Sequence, residues 1–234
     1  SDPRQVYTVN SVVGETNDCY LNDIWGRHVK QEHVLQAIAN ASTDPVEEGA
    51  LGAGMGTTCF GWKGGIGSSS RKLPEALGGY TVAALVQSNF GEARNLSVCG
   101  VPVGRAIQPP PDVEMERPQG SIMMVLATEA PVDQRLLERM CLRGGIGLGR
   151  AGSIYGNTSG DVVIGFTTAN QVSWRPKTRV VTADLLTPDN RVLGALFQAS
   201  ADCVEEAVIN SLFAAETVEG VDGHIRHALP VEQV

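Results

Sequence analysis

A chain of 234 residues with 42% hydrophobic and 19% charged side chains has ordinary globular composition, is about one domain in size and can bury a substantial core. Its 18 basic and 26 acidic side chains leave a formal charge of −8 with no run of five or six like charges, which argues against nucleic acid and anionic membrane surfaces as partners. No apolar run approaches the roughly 20 residues of a membrane span, Ser1-Asp2-Pro3-Arg4 does not open a signal peptide, and the five scattered cysteines form neither a disulfide framework nor a zinc site. An odd count of cysteines fits a reducing compartment, and a cytoplasmic location is expected.

Residues 1–14 read as an extended entry, with alternation in Val6-Tyr7-Thr8-Val9. Gly14 to Asp23 is dense in side chains that bond local backbone and is predicted as a loop with turns. A loop so rich in carboxylates can also hold an ammonium group. His33 to Ala41 has helical spacing, with Val34, Leu35, Ile38 and Ala41 on one face. Glycine then recurs from Gly52 to Arg71, but no phosphate loop fits. Gly52-x-Gly54-x-Gly56 lacks the dinucleotide spacing, and Lys63 is followed by Gly64 rather than Ser or Thr. This stretch is predicted as tightly turned, close-packed strands near a site. Thr81–Gln87 and Leu96–Val103 are predicted strands. The first ends at Asn89, whose amide either caps a turn or donates a hydrogen bond into a cleft. Residues 105–120, with Pro109-Pro110-Pro111, form the one clear linker.

The chain is organised around Arg117-Pro118-Gln119-Gly120-Ser121, which opens the apolar run Ile122 to Ala127. A side chain that attacks the carbonyl before it needs an unhindered neighbour. Gly120 has no side chain and a wide choice of backbone angles. Ser121 carries the hydroxyl. Once freed as an N-terminus it also carries an α-amine titrating near ~7.7–8.0, which can act as base for its own hydroxyl or for water. A loop entering a core strand has the same appearance, so the stretch alone does not settle its chemistry.

Pro131 to Arg143 is predicted as a helix with Asp133 in its first turn and Gly144-Gly145 as its stop. A second glycine-rich loop runs from Gly147 to Asp161, followed by a strand over Val162 to Thr167. Residues 179–186 suit a strand or the start of a helix. Ala199 to Glu216 repeats its apolar positions at the helical period and is predicted as a helix. His224 and His227 lie three apart with no third ligand suggested, so no metal is expected. Strands and helices mix without a strict βαβ repeat, which favours an α/β (α+β) arrangement of sheet layers covered by helices over a doubly wound sheet.

Several segments together, in order and across nearly the whole chain, resemble the L-aminopeptidase/D-esterase and β-peptidyl aminopeptidase family, the DmpA-like self-processing serine hydrolases. They are Val13-Gly14-Glu15-Thr16 with Leu21-Asn22-Asp23, Gly61-Trp62-Lys63-Gly64-Gly65-Ile66-Gly67 with Ser69-Ser70-Arg71, Val86-Gln87-Ser88-Asn89-Phe90-Gly91, Gly120-Ser121-Ile122, Gly152-Ser153-Ile154 through Ser159-Gly160-Asp161, and Gly223-His224 through Ala228-Leu229-Pro230. The resemblance implies a single domain folded as an αββα sandwich like that of N-terminal nucleophile hydrolases. It implies a cut between Gly120 and Ser121 that divides the chain into parts 1–120 and 121–234, and a homo-oligomer of such two-part subunits. It implies Ser121 as nucleophile, Ser159 and Asp161 beside it, Asn89 as the oxyanion donor and Glu15 as the carboxylate receiving the substrate's free amine. The substrates implied are short peptides, amides or esters with a free N-terminus, with no cofactor. Taken as residues only, Asp161 and Ser159 also suit a loop entering a strand, and Glu15 suits a structural turn.

Two departures bear on this expectation. Family members usually read Glu-Thr-Tyr-Asp-Gly where this chain has Glu15-Thr16-Asn17-Asp18-Cys19, so an aromatic of the pocket is replaced by Asn17. Family proteins also carry a further segment before the part that matches Val13. An uncleaved relative without activity and an acyl transferase resembling the ornithine acetyltransferases are the alternatives. The latter use threonine as nucleophile, and position 121 is serine. Ser1 precedes no buried strand and is read as a boundary, not a nucleophile.

Overall fold

The computed structural model describes residues 11–111, 120–171, 173 and 178–234. The alternation in Val6–Val9 and residues 112–119 of the linker, Arg117 to Gln119 among them, lie outside the described residues. The regular elements in chain order are α1 (Gln31–Ala39), β1 (Thr58–Cys59), β2 (Trp62–Lys63), β3 (Ile66–Lys72), β4 (Thr81–Asn89), β5 (Ser121–Thr128), α2 (Gln134–Ala151), β6 (Gly160–Thr167), α3 (Asn190–Phe213), β7 (Val218–Glu219) and β8 (Ile225–Arg226).

Side-chain alternation decides how the main sheet sits. In β5, Ile122, Met124, Leu126 and Thr128 are buried, and the residues between them are half-buried. A strand with one apolar face lays that face on a core and leaves the other open. Each such buried side chain contributes roughly 1.5–3 kcal/mol relative to an exposed one. β4 repeats the pattern with Val82, Ala84 and Val86. The four strands lie in the order β3-β4-β5-β6, antiparallel except for the parallel pair β5 and β6, which α2 connects. α3 packs on β3 and β4, α2 packs on β6, and the two helices pack on each other. The chain is thus a mixed α/β fold. Of the implied sandwich, the described residues supply one helical layer and one four-stranded sheet. On the other face Leu85, Val162 and Phe166 are exposed, and Gly14 and Thr16 cross it at Met123 and Gln87.

The two long helices, α2 and α3, are longer than their sequence signals. α2 starts at Asp133, whose carboxylate accepts the Leu136 N–H at 2.7 Å, so Asp133 is the cap and not a first-turn residue. It runs through Gly144 and Gly145, the expected stop, and ends at Gly152, which has the left-handed φ of 116°. The glycines inside it are contact points. A Cβ on Gly147 would run into the carbonyl of Ala201 on α3, and one on Gly144 would touch Val204. α3 likewise begins early, capped by Asp189, which accepts from the N–H groups of Arg191 and Val192.

Other expectations are corrected. Leu96–Val103 is not a strand. Cys99 and Gly100 both take left-handed backbone angles, and Val98 and Val101 exchange two backbone bonds, so the segment reverses on itself. Its apolar residues Leu96, Val98 and Val103 are buried as a loop packed on the core. The residues 179–186 form neither strand nor helix. In α1 no residue is buried, and its apolar face of Val34, Leu35 and Ile38 is open. All five cysteines are free thiols, and no helix among the described residues is long and apolar enough to cross a membrane.

The glycines of α2 allow a paired stability test. Gly147→Ala should destabilise the fold by about 1–3 kcal/mol because the new methyl meets helix backbone. Gly149→Ala, with nothing within 4 Å of the added carbon, should stabilise it by about 0.5–1 kcal/mol. Urea unfolding of both variants checks the contrast.

Candidate functional site

Ser121 is the first residue of β5, held between two neighbours. It lies opposite Asn89 on β4 and beside Gly160 on β6. Directly opposed residues of an antiparallel pair share a face, with Cβ atoms about 4.5–5.5 Å apart, so the Asn89 amide and the Ser121 hydroxyl project to the same side. Gly160 leaves that side clear: a Cβ there would lie 3.4 Å from Ser121 Oγ. The Gly160 N–H donates to the carbonyl of Gly120 at 3.2 Å. Gly120 itself is not in a left-handed conformation, so its backbone freedom is not what the site uses. Its bareness is used: a Cβ at Gly120 would lie 2.7 Å from Phe90 Cα and 3.0 Å from the Asn89 carbonyl. Only glycine lets the chain enter β5 this close to β4.

Asn89 is buried and its amide is oriented from both ends. Oδ1 accepts from the backbone N–H of Thr58 at 2.9 Å, and Nδ2 donates to the carbonyl of Asn17 at 2.8 Å. One amide hydrogen is left over for a ligand. Asn17 thus serves through its backbone, while its exposed side chain accepts from the N–H of Cys19 in a local turn. Glu15 is exposed and makes no hydrogen bond among the described residues. Its neighbour Thr16 is buried and accepts from Gln87 Nε2 at 2.9 Å, and a Cβ on Gly14 would meet the Met123 side chain. Gln87 and Met123 are opposed two residues along the strands from Asn89 and Ser121. Glu15 is therefore carried on the same face as the serine.

The loop bearing Asn17 is pinned at Tyr20. The Arg226 guanidinium lies 3.7 Å from the Tyr20 ring centre, and the His224 ring stacks on that tyrosine with ring centres 4.4 Å apart. Arg226 Nε also donates to Thr58 Oγ1 at 3.1 Å. Below Thr58 sits a fully buried lysine. Lys63 Nζ donates to the carbonyls of Gly54, Thr57 and Gly64 at 2.7, 3.0 and 2.6 Å. Burial lowers its pKa to about 8, partly offset by the charges of Cys59 and Asp18. Burial also pushes the Cys59 thiol up to about 12.

Ser159 and Asp161 lie together on the other side of the sheet. Ser159 Oγ donates to Asp161 Oδ1 at 2.7 Å. Asp161 is in register with Ile122, whose side chain is fully buried under the helices, so the carboxylate faces α2 while Ser121 faces away. Among the described residues no hydrogen bond joins Ser121 Oγ to Ser159 or Asp161. A pocket of about 60 Å³ is lined by both Gly120 and Ser159, with Phe90 and Gly152, room enough for water. A larger cavity of about 600 Å³ between α2 and β6 is lined by Leu137, Cys141, Tyr155, Asp161 and Val163. Tyr155 holds the strained φ of 51°, and burial, then the Asp161 charge, raises its hydroxyl pKa.

No group of three metal-binding side chains occurs among the described residues. His224 Nδ1 is bonded to the Tyr20 carbonyl at 2.7 Å. Sequence reasoning passed over Lys63 once the phosphate-loop pattern failed. Its available signal was a lone lysine in a glycine-dense, apolar stretch, where a buried ammonium must be met by backbone carbonyls. Thr58, which contributes its backbone, left no such signal.

The chain matches the model of peptidase family S58 over residues 1–226. It is 40% identical over 232 residues to the beta-peptidyl aminopeptidase BapA of Sphingosinicella microcystinivorans, covering 94% of this chain and 58% of that protein. Among solved structures it is similar to a protein of Pyrococcus horikoshii OT3, with TM-score 0.81 and 47% identity over 93% of this chain and 58% of the other. The L-aminopeptidase D-ala-esterase/amidase of Ochrobactrum anthropi, described as a variant of the Ntn hydrolase fold, gives TM-score 0.83 and 37% identity over 92% of this chain and 59% of the other. The chain thus spans a little under three fifths of the length of these relatives.

Lys63 and Cys59 act in opposite directions on alkaline stability. Between pH 8 and 10.5 the unfolded chain holds a proton on Lys63 that the native chain lacks, so this residue makes stability rise with pH. Between pH 9 and 12 the native chain keeps a proton on Cys59 that the unfolded chain loses, so this residue makes stability fall. Urea midpoints of the wild type should rise from pH 8 to 9 and then flatten as Cys59, with the raised thiols of Cys203 and Cys141, opposes Lys63, while Cys59→Ala should flatten less above pH 9.

Proposed function

Because the chain belongs to peptidase family S58, we propose that it is a self-processing serine aminopeptidase and amidase. It cuts itself between Gly120 and Ser121 and then releases the N-terminal residue of short peptides, amides or esters through an acyl-Ser121 intermediate. The observation that carries this reading is the placement of Ser121 at the tip of a buried strand, opposite Asn89, with the preceding carbonyl already held by the Gly160 N–H.

In self-cleavage, Ser121 Oγ attacks the Gly120 carbonyl carbon. Negative charge develops on the oxygen that accepts from Gly160, where a fixed N–H costs no reorganisation. The C–N bond breaks, the nitrogen takes the proton, and the acyl group rests on Oγ as an ester. Water then hydrolyses the ester, leaving Gly120 as a carboxylate and Ser121 with a free α-amine. The pocket beside Gly120 and Ser159 supports access for that water.

In turnover, the α-amine takes the Ser121 hydroxyl proton and Oγ attacks the substrate carbonyl. The remaining N–H of Asn89 stabilises the oxyanion, the leaving amine departs with a proton, and water then attacks the acyl-Ser121 ester, releasing the residue as its acid and returning the proton to Oγ. The Ser159–Asp161 pair acts beside the new N-terminus, Asp161 orienting Ser159 and Ser159 relaying a proton. Glu15, on the serine's face and facing solvent, receives the substrate's ammonium, which would restrict cleavage to N-terminal residues. The chain then consists of parts 1–120 and 121–234, and the open apolar faces of α1 and of the sheet support a homo-oligomer.

The deciding experiment is a denaturing intact-mass spectrum of the purified chain, followed by a hydrolysis assay. Two fragments dividing after Gly120 are expected, and Ser121→Ala should give one uncut chain. Asn89→Ala should lower kcat on β-alanyl p-nitroanilide by ~10²–10³. Cleaved protein that hydrolyses no aminoacyl amide would overturn the aminopeptidase reading, and an uncut wild type would favour the inactive relative.

A further inference from the structure

We propose that Lys63 is a positioning residue for Asn89, acting through the single peptide unit that joins Thr57 to Thr58. The inference rests on the assignment of Asn89 as the oxyanion donor.

The carbonyl of Thr57 and the N–H of Thr58 are the two ends of one rigid plane. Lys63 Nζ donates to the carbonyl end at 3.0 Å, and the N–H end donates to Asn89 Oδ1 at 2.9 Å. The Asn89 amide continues the line, since its Nδ2 donates onward to the Asn17 carbonyl at 2.8 Å. A positive charge at the head of such a chain has two effects. It fixes the tilt of the peptide and so the plane of the asparagine amide. It also draws electron density from the Thr57 carbonyl, which makes the Thr58 N–H a stronger donor and, through Oδ1, the Asn89 N–H groups stronger donors in turn. Such polarisation strengthens each bond by about 10–30%. An amide oxygen held by an N–H cannot flip, so the nitrogen end stays available for the developing oxyanion.

A lysine that only filled space would not be built this way. Its ammonium has three hydrogens and meets three carbonyls, with no carboxylate in an ion pair with it among the described residues. Burying a charge on carbonyls alone is costly, and two of the three already have another donor, Thr57 Oγ1 on the Gly54 carbonyl and the Gly64 N–H on the Thr57 carbonyl, so satisfying carbonyls does not by itself account for an ammonium here. The other two carbonyls, of Gly54 and Gly64, set the position of the ammonium under Thr57. The groups facing it are the Cys59 thiol on β1 and, across Gly56, the Asp18 carboxylate. On the C-terminal side the His227 carbonyl accepts the Lys63 backbone N–H at 2.8 Å, and Arg226 reaches Thr58 Oγ1.

The test is a double-mutant cycle on protein shown by mass to be cleaved before Ser121, with β-alanyl p-nitroanilide as probe. Lys63→Met should lower kcat roughly 10-fold with KM within about 2-fold, a first-order reading of lost orientation and polarisation. In the Asn89→Ala background the same change should cost less than about 2-fold, because the group it acts on is gone. An equal loss in both backgrounds would overturn the proposal and leave Lys63 a structural residue. An Asn89→Ala variant as active as wild type would overturn the donor assignment and the proposal with it. Should Lys63→Met not fold, or the wild type not turn over the probe, NMR of uncut Ser121→Ala protein, which has no α-amine opposite Asn89, decides. The Asn89 side-chain amide resonances should shift with pH along the Lys63 titration near 8. Resonances that stay put while Lys63 loses its proton would overturn the coupling.

Discussion

Backbone lying directly against backbone is the constraint on which the rest of this structure depends. α3 presses on β3 at Gly67, where any Cβ would strike the helix at Ala207, and α2 presses on α3 at Gly147. The entry to β5 passes Phe90 at Gly120, and the turn between β2 and β3 passes the Ser88 carbonyl at Gly64. These contacts draw the sheet, its helical cover and the loop of residues 52–64 into one tight assembly. Close packing of this kind transmits small displacements instead of absorbing them. Ser121 sits where the sheet end and that loop meet.

Such closeness creates a polar problem that the lysine solves. The turns around β1 and β2 gather the carbonyls of Gly54, Thr57 and Gly64 in a place water does not reach. A buried carbonyl left unpaired costs about 1–3 kcal/mol. Thr57 Oγ1 donates to the Gly54 carbonyl and the Gly64 N–H to the Thr57 carbonyl, and the ammonium bonds all three. Its Thr57 contact lies on the peptide that also meets Asn89, so a device that satisfies the interior ends at the amide opposite Ser121. Arg226 does related work from the other direction. It stacks on Tyr20 and bonds Thr58, which joins the loop of Asn17, the β1 turn and the C-terminal tail around the same amide.

The two sides of the sheet carry different parts of the candidate chemistry. Ser121, Asn89 and the Glu15 segment share the open face, while Ser159 and Asp161 belong to the face under α2. The strand pleat imposes this split, since neighbours in sequence point to opposite sides. What spans it is the backbone of the β5–β6 pair, where Gly160 holds the Gly120 carbonyl. A break after Gly120 would release a chain end where the β5–β6 backbone joins the two faces.

Periodic apolar patterns were readable in the chain wherever burial was one-sided. The strands at 81–89, 121–128 and 160–167 contain the stretches that the spacing marks, and the helix at 190–213 covers the expected one from Ala199 as far as Phe213, short of Glu216, because a pleat or a helical turn repeats its inward positions regularly. Ser121 and Asn89 were legible from their places at strand ends, together with the ordered motifs of the family. Leu96–Val103 misled because an apolar run records burial and not extension, and a loop can be buried too. Gly144-Gly145 misled because glycine breaks a helix only where no neighbour repays its presence, and here α3 lies against it. The order of the strands, the face each side chain occupies, the partners of the Lys63 ammonium and the line from it to Asn89 were decided by tertiary structure alone. These depend on atoms distant in sequence arriving at hydrogen-bond distance, and a carbonyl belongs to every residue, so no residue type announces it in advance.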